Sequence, residues 1–178
     1  MIAVAIADVH AEPRDQGYVE VGAMAGIGSR GTPLYAGIAT AAVEGGVHWV
    51  DAWWLRGLVG YSVGADFEDT GDATIFQARA GLEHRSCNES GNTCFLWMLD
   101  VGLQRARWEG FDSAIEDDGT ATGVILVPKL AVDLGGSVRV RFGLEVSPGV
   151  FYRSAGGRHY WTGGLNAIDL TLGLAYQW

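Results

Sequence analysis

The sequence predicts an all-β fold, an eight-stranded antiparallel up-and-down transmembrane β-barrel, and three observations support this prediction. Apolar and polar residues alternate with a period of two in eight segments, as in strands with one apolar face. Gly accounts for 27 of the 178 residues, well above the average of roughly 7%. No window approaches the ~20 consecutive apolar residues of a membrane helix, and the last segment is an apolar-faced strand that runs to the final residue.

The C-terminal segment, residues 166–178, has one fully apolar face. Its members are Ile168, Leu170, Leu172, Leu174, Tyr176 and Trp178. A soluble domain rarely ends in such a strand, because chain ends usually fray into water. In a closed barrel the last strand must pair with the first to complete the wall, so we expect this segment to pair with residues 18–28.

The pattern Thr171-x-Gly173-x-x-Tyr176-x-Trp178 resembles the C-terminal assembly signal of bacterial outer-membrane β-barrels. In size the chain resembles the small barrels of the OmpA/OmpX type, and the resemblance in pattern extends over most of the chain. It implies a Gram-negative outer-membrane location with both termini in the periplasm. It also implies contact with outer-membrane lipid and lipopolysaccharide, recognition by the barrel-assembly machinery, and a monomeric state.

The first residues do not follow the strand pattern. Residues 1–11 combine a short apolar run with small residues that resemble a cleavage site, but a basic start and a longer apolar core are missing. We interpret 1–11 as the remnant of an export signal peptide, with an ordinary mobile N-terminus as the alternative. Residues 12–178 are predicted to form a single barrel domain.

The eight predicted strands match the length of about ten residues that a tilted strand needs to cross a bilayer. In order, they span residues 18–28, 34–44, 49–66, 74–83, 94–108, 123–133, 138–150 and 166–178. Their apolar faces carry, in the same order, Val21 and Ile27, several Ala, Leu55 and Val59, Phe76 and Leu82, Leu99 and Val101, Val124 and Leu130, Val140 and Phe142, and Leu170 and Leu172. The second segment is the weakest and the seventh the clearest.

The connections agree with periplasmic termini, because such barrels have short periplasmic turns and longer outer loops. We predict periplasmic turns at 44–48, at 135–137 and, longer, at 84–93, and long outer connections at 109–121 and 149–164. A disulfide between Cys87 and Cys94 could close the turn at 84–93, since the periplasm is oxidising. Two reduced thiols are the alternative.

The polar faces of the strands decide between a membrane barrel and a soluble barrel such as a lipocalin. A soluble exterior needs many large polar side chains, whereas these faces carry mostly Gly, Ala and Ser with single charges of nearly balanced sign, as a narrow lumen requires. We therefore predict a lumen charge network, in which Asp133 faces Arg139. Its members are Glu20, Arg56, Arg79, Glu83, Asp100, Lys129, Asp133, Arg139, Arg141, Glu145 and Asp169.

Aromatic residues near the periplasmic ends of the strands share the apolar face. They are Trp49, Phe95, Trp97, Tyr176 and Trp178. Aromatic girdles of this kind mark the membrane interface of barrels.

An eight-stranded barrel is just wide enough for its side chains to fill it. The sequence therefore favours a non-enzymatic barrel with a filled lumen, whose outer loops mediate surface contact, adhesion or envelope integrity. The alternative is a narrow channel for small or apolar solutes. A lipid A-modifying enzyme is a third hypothesis, resting on His159 near Ser154, but no acid stands at an orienting position, so we predict no catalytic residue.

The remaining charge pattern indicates no further ligand. The acidic clusters near 66–72 and 109–118 lack the spacing of a calcium loop, and we expect no metal site and no cofactor. A net charge of −9 argues against nucleic acid as a partner, since nucleic-acid binding needs basic patches.

Overall fold

The computed structural model describes residues 16–28, 36–66, 72–109 and 118–178, which form eight antiparallel strands in a closed barrel. The strands are β1 (Gly17–Gly28), β2 (Ala36–Val50), β3 (Trp53–Asp66), β4 (Asp72–Cys87), β5 (Thr93–Glu109), β6 (Gly119–Gly135), β7 (Val138–Ala155) and β8 (Arg158–Gln177). The predicted eight-stranded up-and-down barrel is confirmed. Among the described residues no helix is long and apolar enough to span a membrane.

The barrel closes between its last and first strands, as predicted. β1 and β8 pair from Tyr18 opposite Gln177 to Gly28 opposite Ala167. We call the end of the barrel where this seam begins, near Gly17 and Trp178, the terminal end, and the opposite end the distal end. At the terminal end the amides of Gln16 and Gly17 donate to the carbonyl oxygen of Trp178 at 2.7 and 3.2 Å, so the chain's last residue belongs to the wall.

Alternation along each strand separates an apolar exterior from a polar interior. On β8, Leu170 and Leu172 are 69% and 51% exposed, whereas Asp169 and Thr171, which alternate with them, are buried. The same alternation runs without interruption through β5. A wall that exposes Val, Leu and Phe on all sides requires hydrocarbon around it, since monomeric soluble proteins expose only small apolar patches.

The predicted turn at 44–48 is wrong. β2 continues through these residues to Val50, and Gly45 pairs with Val19 on one side and with Gly57 on the other. The turn lies at Asp51 and the next residue, where Asp51 takes a φ of 52°. Trp49 therefore belongs to β2, not to the start of β3 as its predicted segment implied.

The turn between β4 and β5 is shorter than predicted, because both strands extend into residues 84–93. Cys87 and Cys94 lie directly opposite each other at its base, and their side chains form the predicted disulfide. The β6–β7 turn shifts the expected register by two residues. Asp133 lies opposite Arg141, not Arg139, because Gly135 is still paired with Arg139.

The predicted outer connection at 149–164 is a hairpin, not a loop. β7 extends to Ala155 and β8 begins at Arg158. Gly156 and Gly157 form the turn, both with positive φ (53° and 73°), as a type I′ turn requires. The ladder between the two strands continues through these residues, with one irregularity between Ser147 and Pro148.

Other predictions fall outside the described residues. These are the signal remnant at 1–11, and the acidic residues Glu68, Asp69, Asp112, Glu116 and Asp117 in the distal connections.

Candidate functional site

The lumen is the site that the barrel encloses. The structure buries all eleven charged residues of the predicted lumen network, namely Glu20, Arg56, Arg79, Glu83, Asp100, Lys129, Asp133, Arg139, Arg141, Glu145 and Asp169. Glu44 and Arg85 are buried with them, although sequence reasoning missed both. Buried carboxylates and cations are thus almost equal in number among the described residues, as tolerable burial of charge requires.

Arg141 on β7 is the centre of the network. Its Nη1 lies 2.8 Å from Glu44 Oε1, 3.0 Å from Glu20 Oε2 and 3.4 Å from Glu83 Oε2. Its other side binds Asp133, with Nε donating at 3.2 Å to Oδ1 and Nη2 at 3.1 Å to Oδ2. One guanidinium therefore joins carboxylates from four other strands.

Glu44 on β2 is the matching anionic centre. Besides Arg141 it binds the guanidinium of Arg56, accepts a hydrogen bond of 2.7 Å from the Tyr18 hydroxyl, and lies 3.9 Å from Lys129 Nζ. The predicted turn at 44–48 hid this role. The sequence signal was nevertheless present, because the alternation that places Val43 outward and Glu44 inward continues past Gly45.

Arg85 closes the lumen near its terminal end. Its guanidinium lies 3.8 Å from the centroid of the Trp54 ring and 4.7 Å from that of Tyr18, in cation–π geometry. It also pairs with Glu83 and donates a hydrogen bond of 3.2 Å to Gln177 Oε1. Sequence reasoning missed Arg85 because the predicted strand ended at Glu83, one inward position too early.

The disulfide lies on the lumen side of the wall at the terminal end. Cys94 packs with Leu96, Met98 and Ala131, and Cys87 packs against this cluster. Arg139 reaches it from β7, donating from Nη2 to Gly91 O at 3.0 Å and to Cys94 Sγ at 3.1 Å. The same side chain lies 3.3 Å from Asp133. The β4–β5 turn is thereby tied to the charge network.

A second ion pair lies farther along the lumen. Arg79 and Glu145 are joined by two hydrogen bonds, from Nη1 to Oε2 at 3.0 Å and from Nη2 to Oε1 at 2.8 Å. Gln77 accepts a further bond of 2.7 Å from Arg79. Asp100 lies 3.6 Å from Arg56 Nη2, so this part of the lumen connects to the Glu44 centre through Arg56.

Towards the distal end the lumen contains an apolar cluster, beside the buried polar side chains of Gln104 and Asn166, which are joined by a hydrogen bond of 3.3 Å. The cluster there contains Ile38, Ala73, Ile75, Ala106, Trp108, Ala121, Ile125, Val127, Phe151 and Ala155. Trp108 is fully buried and Phe151 is 3% exposed.

A void of about 10 Å³ lies beside Glu20, Met24, Lys129 and Thr171, room for about one water molecule. Among the described residues no group of His, Cys, Asp and Glu is arranged to hold a metal ion.

The assembly-signal residues divide between the two faces of β8. Thr171 and Gly173 face the lumen, and a Cβ atom on Gly173 would collide with the Glu20 side chain. Tyr176 and Trp178 are 57% and 51% exposed on the outer face. The structure therefore gives Gly173 a steric reason for its identity.

The aromatic girdle residues all lie outside the barrel near the terminal end, where Trp49, Phe95, Trp97, Tyr176 and Trp178 are exposed. Trp53 and His84 join Trp97 in one ring cluster, with centroids 4.8 to 5.4 Å apart. On the distal side the outward face of β5 changes from apolar to cationic at Arg105 and Arg107, both exposed.

No family model and no curated protein sequence matches this chain. Several solved protein structures, in contrast, do match this chain. Neisserial surface protein A (NspA) superposes with a TM-score of 0.62 at 17% identity, covering 91% of this chain and 97% of its own. OprG from Pseudomonas aeruginosa superposes with a TM-score of 0.58 at 10% identity, covering 93% of this chain and 97% of its own. Ail, the attachment invasion locus protein of Yersinia pestis, superposes with a TM-score of 0.54 at 12% identity, covering 93% of this chain and 99% of its own.

These likenesses extend over nearly the whole of each chain, and at such low identity they show the fold. The closed ring of eight antiparallel strands agrees with them. The chain has the fold of the small eight-stranded outer-membrane β-barrels.

Proposed function

We propose that the protein is a non-enzymatic barrel of a Gram-negative outer membrane, with a sealed lumen and a distal surface that makes contacts outside the cell. The observation that carries this proposal is the filling of the lumen. A charge network around Arg141 and Glu44 occupies the terminal part, and an apolar layer around Trp108 covers it. A lumen filled in this way stabilises the wall and does not conduct.

The proposed orientation places both termini in the periplasm. The three connections at the terminal end are short, at 51–52, 88–92 and 136–137, as periplasmic turns are in barrels of this kind. Two of the four distal connections, at 29–35 and 110–118, are longer than any of these.

The outer wall supports lipopolysaccharide as a contact. From Phe95 to Leu103 the outward residues of β5 are all apolar, over about the length that one strand needs to cross a bilayer. Arg105 and Arg107 follow on the same face, and Thr74 and Thr120 flank Arg107 on the neighbouring strands. Cations at this boundary suit the phosphate groups of the outer leaflet. Arg107 also forms an ion pair with Glu109, and both side chains are exposed. An exposed ion pair of this kind contributes little stability.

Planar-bilayer recordings of the purified protein test the sealed lumen. We expect no discrete conductance steps from the wild type or from Leu170→Ala, an outward-facing control. With Trp108→Ala and Phe151→Ala together we still expect no steps, because the charge network around Arg141 and Glu44 continues to fill the terminal part of the lumen. Discrete steps in the wild type that Arg139→Ala or Arg141→Ala abolishes would contradict the proposal and favour the narrow channel for small or apolar solutes.

The geometry around His159 does not favour a lipid A-modifying enzyme. His159 lies opposite Ser154, but its ring stacks on Tyr152 with centroids 5.9 Å apart, so the imidazole is engaged by an aromatic ring. Altered lipid A on overexpression that is lost in His159→Ala would revive that hypothesis. We further propose a monomer that the barrel-assembly machinery recognises through Thr171, Gly173, Tyr176 and Trp178.

A further inference from the structure

The two cysteines of the β4–β5 disulfide differ in their access to solvent. Cys94 is 1% exposed and packs with Leu96 and Met98 on the lumen side of the wall. Cys87 is only half-buried, and the exposed residues 88–92 follow it. A nucleophile that approaches from the terminal end can therefore reach Cys87 Sγ, whereas the packed cluster shields Cys94 Sγ.

The sulfur of Cys94 lies beside a cation. Arg139 Nη2 donates to Cys94 Sγ at 3.1 Å, and the same nitrogen donates to Gly91 O at 3.0 Å. Asp133 lies 3.3 Å from Arg139 Nε but also binds Arg141, so two guanidinium groups share its carboxylate. A cation beside a sulfur stabilises that sulfur as a thiolate, and a stabilised thiolate leaves a disulfide faster. Cys94 is therefore suited to be the leaving group of the pair.

The turn that the disulfide closes is also held by hydrogen bonds. The Asn88 amide donates to Thr93 O at 2.9 Å, and the Thr93 amide donates to Asn88 Oδ1 at 3.2 Å. The Gly135 amide at the end of β6 donates to Asn92 O at 2.9 Å. We therefore expect the turn and the wall to stay folded when the disulfide is reduced.

We propose that Cys87 and Cys94 form a thiol–disulfide exchange site, at which a dithiol attacks Cys87 Sγ and Cys94 leaves as a thiolate that Arg139 stabilises. The first step joins the dithiol to Cys87 in a mixed disulfide, and the electron pair of the broken S–S bond goes to Cys94 Sγ. The second thiolate of the dithiol then attacks the reagent's own sulfur in the mixed disulfide and releases Cys87. The dithiol is oxidised to a disulfide, both cysteines are reduced, and the two protons of the dithiol pass to them. This reaction goes beyond the proposed surface-contact role and does not depend on it.

The position of attack is tested on the full chain in detergent micelles, with glutathione as a monothiol probe. After a short exposure, free thiols are blocked with N-ethylmaleimide, and cleavage after Glu89 separates the two cysteines for mass spectrometry. We expect glutathione on Cys87 and maleimide on Cys94. Glutathione on Cys94, an equal distribution over both cysteines, or no glutathione adduct would overturn the proposal.

The role of Arg139 is tested by the rate at which dithiothreitol, a dithiol, reduces the disulfide. Arg139→Met should slow this reduction about tenfold, because the leaving thiolate loses its cation. Arg105→Met removes an exposed Arg from the outer wall and should leave the rate unchanged. A purely structural role of Arg139 predicts the opposite sign, because a loosened turn would expose Cys94 and speed its reduction.

The gel shift between heated and unheated samples should persist in the wild type throughout the reduction. An unchanged or faster rate in Arg139→Met, or a disulfide that is reduced only when the gel shift is lost, would overturn the proposal. The glutathione experiment uses the wild type, so it decides the question even if Arg139→Met does not fold. None of these readouts involves conductance, so a failure here is distinguishable from a failure of the sealed lumen.

Discussion

Arg141 on β7 and Glu44 on β2 meet across the lumen, with 2.8 Å between Nη1 and Oε1, although 97 positions separate them in the sequence. The two residues do not lie on neighbouring strands, because β7 pairs with β6 and β8, and β2 pairs with β1 and β3. The contact exists only in the closed barrel. It therefore links the stability of the closed wall to the filling of its interior.

Arg141→Ala is expected to destabilise the barrel by about 3–5 kcal/mol, because it leaves several buried carboxylates without their shared cation. Urea unfolding in lipid or detergent, followed by Trp fluorescence, measures the change. Arg105→Ala removes an exposed Arg and should stay within about 0.5 kcal/mol of the wild type. Equal effects of the two substitutions would mean that the lumen network contributes no stability.

A double-mutant cycle with Glu44→Gln and Arg141→Met should give a coupling free energy of about 0.5–3 kcal/mol, since the two side chains are in direct contact. The measurement is again the free energy of unfolding, for both single variants and the double variant. A cycle between Glu44→Gln and Arg105→Met joins distant sites and should be additive within about 0.5 kcal/mol. Additivity in the first cycle would contradict the central position of this pair.

Trp108→Ala should destabilise the barrel by about 3–5 kcal/mol, the usual cost of removing a buried aromatic side chain. Trp161→Ala is the matched control, because Trp161 is 69% exposed and its loss creates no cavity. Unfolding midpoints of the two variants, measured under the same conditions, give the comparison. A larger effect at Trp161 would show that the distal layer is not the tightly packed part of the lumen.

Loss of the disulfide should weaken the barrel without abolishing it. Cys87 and Cys94 close a loop with a sequence separation of 7, for which chain entropy gives about 2–3 kcal/mol. The Cys87→Ser, Cys94→Ser double variant should still show the gel shift between heated and unheated samples that a folded barrel produces, with a lower unfolding midpoint. Complete absence of the shift would assign the disulfide an essential part in folding.

Gly173→Ala is expected to slow or reduce assembly, because the added Cβ atom meets the Glu20 side chain beside the β1–β8 seam. Gly163→Ala is the control, since its Cβ atom would come no closer than 3.4 Å to Val150. The folded fraction after dilution into lipid vesicles, read from the heat-dependent gel shift, tests the difference. Equal folding of both variants would mean that the contact with Glu20 does not explain the Gly at position 173. Recognition of the assembly signal would then be the remaining reason for it.

The inward or outward direction of a side chain could be read from the sequence alone. Direction in a strand depends only on odd or even position, so Asp169 and Leu170 were assigned to opposite faces before any pairing was known. The closing strand and the eight-stranded wall followed from the same local pattern. Glu44 and Arg85 lie outside the predicted network because the predicted second and fourth strands end at residues 44 and 83, whereas β2 runs to Val50 and β4 to Cys87.

What the sequence determined by itself was therefore the number of strands, the apolar exterior and the charged interior, because each depends on neighbours within one segment. Only the tertiary structure decided which charges meet. Partners across a lumen depend on the register of every strand between them, and a shift of two residues at the β6–β7 turn replaced Arg139 by Arg141 opposite Asp133.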